Sequence, residues 1–94
     1  MIAINYAALA RHDLEQIALY HREIDADLAL MISERIVAAT RLLRDVPRAG
    51  PATPKGHRRK WRVAGTQNVI FYRVTSKEVR ILRLIHGAQQ PASP

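Results

Sequence analysis

The side chains best suited to chemistry in this sequence are cationic, and they are concentrated in one region. In residues 61–87, and in the KGHRRK segment that leads into them, most polar positions are Arg or Lys. These cations alternate with apolar residues, and alternation with a period of two is typical of strands that are covered on one face and open on the other. A sheet surface of this charge suits an acidic partner, so we expect function to begin here.

Charge is distributed unevenly along the chain, which has a formal net charge of +7. Residues 1–40 contain three arginines and six acidic residues, whereas residues 41–94 contain nine arginines and three lysines against two acidic residues. This separation favours binding to nucleic acid, to an acidic protein, or to both in turn. The alternative is a generally basic, soluble domain without such a partner.

Length and composition exclude several classes of site. Ninety-four residues are enough for one small domain, and we assign residues 1–88 to it and residues 89–94 to a disordered tail. The chain has no cysteine, which excludes disulfides, thiolate catalysis and cysteine-bound zinc. Its four histidines lack metal-ligand spacing, so no metal or cofactor is expected. Without a membrane-spanning run or a basic and apolar leader, we expect a soluble cytoplasmic protein.

The elements that would position the cations follow from the spacing of apolar residues. A short strand at residues 2–6 precedes a helix that begins near Ala7 and a second helix over residues 27–45, with Asp25 or Asp27 as its N-cap. Strands are predicted at residues 57–64, 69–74 and 79–85. The last strand should be central, because it is apolar on both faces. Its alternation places Arg80 with Leu82 and Leu84, opposite Val79, Ile81, Arg83 and Ile85. The prediction is an α+β fold of order β-α-α-β-β-β, with a helical hairpin on one face of a mostly antiparallel four-stranded sheet.

This order, together with a set of local sequences, resembles the ParE branch of the RelE/ParE superfamily of bacterial toxins from type II toxin–antitoxin systems. The resemblance covers nearly the whole chain and rests on residues 13–18 with Tyr20, 44–47, 50–51, 61–63, 70–74 and 79–87. It implies one of two activities. RelE-like members cut mRNA in the ribosomal A site, whereas ParE-like members poison DNA gyrase without catalysis of their own.

This sequence matches only part of the nuclease pattern. Lys60 and Arg62 match the two basic residues that RelE-like enzymes place on the strand after the loop, and His86 could serve as acid or base. Two further cations of that pattern are replaced here by Val69 and Gln89. The resemblance therefore favours a gyrase inhibitor over a metal-independent endoribonuclease. A plain nucleic-acid-binding or inactive toxin-derived module is a third reading.

The ParE-like reading assigns two contact surfaces. Contact with gyrase or its DNA is predicted for Arg58, Arg59, Lys60, Arg62, Arg73 and Arg83. A ParD-type antitoxin, which would form a hetero-oligomer with the toxin, is predicted to cover the surplus apolar residues Leu30, Met31, Val37 and Leu42. Val37 and Leu42 could instead complete the core.

Overall fold

A computed structural model describes residues 2–86 of the chain and confirms the predicted order of elements. The elements are β1 (Ala3–Tyr6), α1 (Ala8–Ile24), α2 (Ala26–Asp45), β2 (Arg58–Arg62), β3 (Asn68–Val74) and β4 (Glu78–His86). The predicted tail at residues 89–94 lies outside the described residues, as does Gln89 itself. Within residues 2–86, no helix is long and apolar enough to cross a membrane.

The two helices meet at Asp25, which decides between the two predicted N-caps. Asp25 has an extended backbone, and its Oδ1 accepts hydrogen bonds from the backbone N–H groups of Asp27 (2.9 Å) and Leu28 (3.3 Å). These bonds satisfy N–H groups that the first turn of α2 cannot pair internally. The single residue between the helices therefore both ends α1 and begins α2, which forms the expected hairpin.

The sheet has the strand order β1-β4-β3-β2, so β4 is central as predicted. β1 runs parallel to β4, whereas β4, β3 and β2 pair antiparallel. One face of the sheet packs on the helices and forms the core. The buried core residues are Ala10, Ile32, Ile36, Ala39 and Leu43 from the helices and Val63, Ile70, Tyr72, Val79, Ile81 and Leu84 from the sheet region.

A β-bulge in β4 changes the predicted facing of its second half. Tyr72 pairs with Ile81 and Phe71 pairs with Arg83, so Leu82 has no partner in β3. An extra residue inverts the alternation beyond it. The predicted grouping is therefore wrong after Ile81: Leu84 is buried on the helix side, while Arg83 lies on the other side.

Candidate functional site

We call the side of the sheet opposite the buried core the open face. Its side chains form rows across strands β2, β3 and β4, because residues paired in register lie side by side on one face. The three rows are Arg58–Arg73–Arg80, Lys60–Phe71–Arg83 and Arg62–Val69–Ile85. The alternating cations of the sequence therefore do come together on one surface.

The row that contains Arg62 occupies the position of the predicted nuclease pattern. Arg62 is exposed, but its partner Val69 is only 9% exposed and the next residue in the row is Ile85. Lys60 and Arg62 border a shallow hollow of about 390 Å³ that Trp61, Val69 and Pro51 also line. The two predicted cations thus lie beside an apolar surface. Val69 occupies the position of a third cation in the nuclease pattern, and its isopropyl group cannot stabilise a phosphate.

His86 is not on the same face as these two cations. It pairs with Asn68 at the end of β4, and this pair falls on the helix side of the sheet by alternation from Val69 and Ile85. The structure therefore does not gather Lys60, Arg62 and His86 on one surface. Among residues 2–86, no group of three or more His, Asp or Glu side chains could hold a metal ion.

Tyr72 and Arg59 both secure the loop between α2 and β2. The Tyr72 hydroxyl is fully buried, donates a hydrogen bond to the Pro47 carbonyl (2.8 Å) and accepts one from the Gly50 N–H (2.9 Å). Burial raises the pKa of Tyr72, against the opposing effects of the Gly50 hydrogen bond and the Arg59 charge. The Arg59 guanidinium donates to the Gly50 carbonyl (2.8 Å) and more weakly to that of Arg48 (3.5 Å). Arg59 points away from the open face, so its predicted role in target contact is not supported by its position.

Arg83 is also held by the fold. Its Nε and Nη2 donate to the two carboxylate oxygens of Asp13 on α1, at 2.8 and 3.1 Å, and Asp13 also accepts the Leu84 N–H at 3.0 Å. Burial alone would raise the pKa of Asp13, but the hydrogen bonds from Arg83 and Leu84 and the nearby positive charges outweigh it and lower the pKa. The same hydrogen bond raises the pKa of Arg83. Arg83 therefore joins α1 to β4 and is not a free cation of the open face.

Arg80 is an open-face cation that the sequence prediction did not single out. Its side chain is 42% exposed, and its one ion pair within the described residues is a long contact of 4.0 Å to Glu78. The alternation before the bulge already put Arg80 opposite the buried Val79 and Ile81, so the signal was present. The exposed or half-exposed open-face cations without a short ion pair are Arg58, Lys60, Arg62, Arg73 and Arg80.

The four apolar residues predicted to contact an antitoxin are all exposed. Leu30, Met31, Val37 and Leu42 range from 36% to 60% exposed, so Val37 and Leu42 do not complete the core. Helical spacing separates the four into two flanks of α2: Leu30 and Val37 on one, Met31 and Leu42 on the other. The second flank also contains Arg35, which donates a 3.3 Å hydrogen bond to the Ala64 carbonyl in the β2–β3 turn.

The Val37 flank forms a groove with α1, which we call the hairpin groove. It has a volume of about 500 Å³, and its lining consists of Leu14, Glu15, Ala18, Leu19, Arg22, Ser33 and Val37. Leu19 is itself exposed and was not predicted as a binding residue. It could have been found from the sequence as an apolar residue outside the buried stripe of α1. The groove offers an apolar floor with one acidic and one basic side chain.

Comparison with known proteins agrees with the fold. The family described as the ParE toxin of type II toxin–antitoxin system, parDE, matches residues 4–91. A chain of the chromosomal ParDE TA (toxin–antitoxin) system from P. aeruginosa superimposes with a TM-score of 0.80 at 22% identity, covering 92% of this chain and 96% of that one.

A chain of the E. coli DinJ-YafQ toxin–antitoxin complex is less similar. It superimposes with a TM-score of 0.66 at 16% identity, over 97% of this chain and 98% of that one. No curated protein sequence matches this chain. At these identities the two structures establish the fold, whereas the family match establishes membership.

Proposed function

Because this chain belongs to the family of ParE toxins of type II toxin–antitoxin systems, we propose that it inhibits DNA gyrase by binding and is neutralised by a ParD-type antitoxin. The observation that supports inhibition by binding, without catalysis, is the row Arg62–Val69–Ile85. It has one cation, whereas cleavage of a phosphodiester needs several. The alternative is ribosome-dependent cleavage of mRNA, for which Lys60, Arg62 and His86 would be the reacting groups.

Three features of the site favour a binder over a nuclease. Metal-independent RNA cleavage needs a base for the 2′-hydroxyl, cations for the developing charge and an acid for the leaving oxygen. Within residues 2–86, Lys60 and Arg62 are the only cations that line the hollow, and His86 is on the other side of the sheet. The Tyr72 hydroxyl is buried and committed to the loop, so it does not supply the missing acid.

The target surface in this proposal is the set of exposed open-face cations. To test it, the wild-type chain and a Lys60→Glu/Arg62→Glu variant are induced in bacteria, and gyrase-dependent DNA breaks and A-site mRNA cuts are both measured. The wild type should produce DNA breaks without mRNA cuts, and the variant should lose the breaks because two exposed cations become anions. An Arg11→Glu/Lys77→Glu variant makes the same charge change at exposed sites away from the hollow and should retain them.

The possible outcomes separate the two activities. Cut mRNA with undamaged DNA would replace gyrase inhibition by the nuclease reading. Unchanged DNA breaks in a Lys60→Glu/Arg62→Glu variant that melts like wild type would remove these two residues from the mechanism. Thermal unfolding of each purified variant supplies the folding control.

The antitoxin surface in this proposal is the hairpin groove. Its apolar floor, with the exposed Leu30 on the same flank of α2, suits the apolar side of an amphipathic antitoxin segment, and Arg22 in its lining can pair with an acidic side chain of that segment. Burying one side chain of this size contributes about 1.5–3 kcal/mol, so Val37→Asp should weaken binding of the antitoxin by tenfold or more. The antitoxin to use is the small acidic protein, with a ribbon-helix-helix start, expected from an adjacent gene.

A matched variant distinguishes the two flanks of α2. Leu42→Asp makes a similar change on the flank that faces the β2–β3 turn, at a residue of similar exposure. If the antitoxin segment occupies only the groove, titration calorimetry should show a large loss for Val37→Asp and a small one for Leu42→Asp. A larger loss for Leu42→Asp would move the antitoxin to the opposite flank.

A further inference from the structure

The open face holds a row of three arginines that pairing places in register. Arg58 pairs with Arg73, and Arg73 pairs with Arg80, so the three side chains leave three neighbouring strands at the same level. Neighbouring strands lie about 4.8 Å apart. The row therefore presents three guanidinium groups along a line of roughly 10 Å across the sheet, before side-chain reach is added.

The row has little internal compensation for its charge. Neither Arg58 nor Arg73 forms an ion pair with any residue in 2–86, and Arg80 has only the 4.0 Å contact to Glu78. The Glu78 carboxylate also accepts a 2.6 Å hydrogen bond from the Asn5 side chain, so it is shared between Asn5 and Arg80. Like charges directly opposite each other destabilise a sheet. A row of three, without a short counter-charge, fits an anion supplied from outside.

The chemistry of the surface favours phosphate over an acidic protein as that anion. All three residues are arginine, whose planar guanidinium matches phosphate oxygens in pairs. Protein interfaces also need apolar or aromatic anchors, and the large exposed apolar residues of 2–86 lie on or next to the helices, with none on the sheet. Binding to a nucleic-acid backbone requires only cations at suitable positions.

We propose that the row Arg58–Arg73–Arg80 binds the phosphodiester backbone of duplex DNA without regard to its sequence. This proposal rests on the gyrase proposal and deepens it, since gyrase holds the DNA that the row would contact. The row lies on the same face as Lys60 and Arg62. It is two residues from the row Lys60–Phe71–Arg83 along β2 and β3, and three along β4 because of the bulge. None of its three arginines lines the hollow. A chain that binds gyrase and also binds DNA directly would contact both the protein and the DNA of the gyrase–DNA complex.

The test measures binding of the purified full-length chain to a fluorescent 20-base-pair duplex, without gyrase, as salt concentration is varied. Each phosphate contact contributes about −0.9 to the slope of log K against log salt. An Arg73→Gln/Arg80→Gln variant should therefore reduce the magnitude of the slope by about 2 and weaken binding at least tenfold at low salt. Two duplexes of unrelated sequence should bind equally.

The control variant is Arg11→Gln/Arg41→Gln, which removes the same charge from exposed helix positions. It should change the slope little, because these arginines are not on the open face. An equal effect of the two variants, or no binding of the wild type to DNA, would overturn the proposal. In a competition experiment, unlabelled DNA or polyglutamate of matched charge is added to the complex of the chain with the fluorescent duplex. Stronger competition by polyglutamate than by DNA would assign the row to an acidic protein instead.

The outcome is separable from that of the gyrase experiment because gyrase is absent from the binding assay. Absence of DNA binding by the wild-type chain, with gyrase-dependent breaks intact, would refute the row and leave gyrase inhibition standing. Normal DNA binding by a chain that causes no gyrase-dependent breaks would support the row and refute gyrase as the target.

Discussion

Removal of one oxygen atom, in Tyr72→Phe, should destabilise the protein more than its size suggests. The Tyr72 ring is fully buried between the sheet and the helices, and phenylalanine would keep that packing. The hydroxyl, however, is the shared partner of the Pro47 carbonyl and the Gly50 N–H. The same loop continues to Pro51, whose carbonyl accepts the Lys60 N–H at 3.1 Å along the edge of β2. The loop therefore connects the core to the strand that presents the predicted target contacts.

The expected magnitude follows from the burial of the two partners. Gly50 is buried, so its N–H would be left without a partner at a cost of about 1–3 kcal/mol. The Pro47 carbonyl is half-buried and can be rehydrated, so its lost bond contributes about 0.5–1.5 kcal/mol. The total is about 2–4 kcal/mol, which in a domain of this size lowers the melting temperature by roughly 10 °C or more.

Urea denaturation followed by circular dichroism measures this change, and Tyr6→Phe is a suitable control. The Tyr6 hydroxyl makes one long hydrogen bond, 3.3 Å to Thr40 Oγ1, and Thr40 itself remains bonded to the Val37 carbonyl. The control should therefore cost less than about 1 kcal/mol. A Tyr72→Phe cost no greater than that of the control would refute the argument that the hydroxyl holds the loop.

Two further changes test contacts that hold the sheet in place. Asp13→Asn should cost about 2 kcal/mol in denaturation at pH 7, because it leaves the Arg83 charge unpaired. Since the pKa of Asp13 is lowered in the folded state, its contribution is present above about pH 4 and is lost as the pH falls through the folded pKa; the acid loss of stability should thus be smaller in the variant. Gly50→Ala should cost about 3 kcal/mol, because a Cβ there meets the Lys60 carbonyl oxygen. A Gly50→Ala variant as stable as wild type would show that the loop can move.

The regular parts of the fold could be predicted because their residues repeat with one period. In β2, Trp61 faces the helices and its cationic neighbours Lys60 and Arg62 face away, as the alternation predicts. In β4 the facing of the side chains could be predicted only as far as Ile81, because the unpaired Leu82 inverts the facing of the residues after it. Leu82 and Leu84 are both apolar, so the sequence fits either facing and gives no sign of the bulge.

The roles of individual arginines were the part that sequence could not supply. Composition counts Arg59 and Arg83 as surface cations, yet each is held by a partner distant in the chain: the Gly50 carbonyl for Arg59 and Asp13 for Arg83. A free and a bound guanidinium look the same in a one-dimensional pattern. Only the strand register and the interatomic distances distinguish a free guanidinium from a bound one. The register also shows that Arg80 belongs to the arginine row.

The arginine row implies that the open face is built for binding at some expense of stability. Because Arg73 lies between Arg58 and Arg80, its charge is repelled from both sides. Arg73→Gln should therefore raise the free energy of unfolding by up to about 0.5 kcal/mol at low ionic strength, while it weakens DNA binding. Salt near 1 M shortens the Debye length to about 3 Å, so the gain should disappear there if repulsion is its cause. A loss of stability that is equal at low and high salt would mean that the Arg73 side chain stabilises the sheet by packing, and the trade-off between binding and stability would not hold.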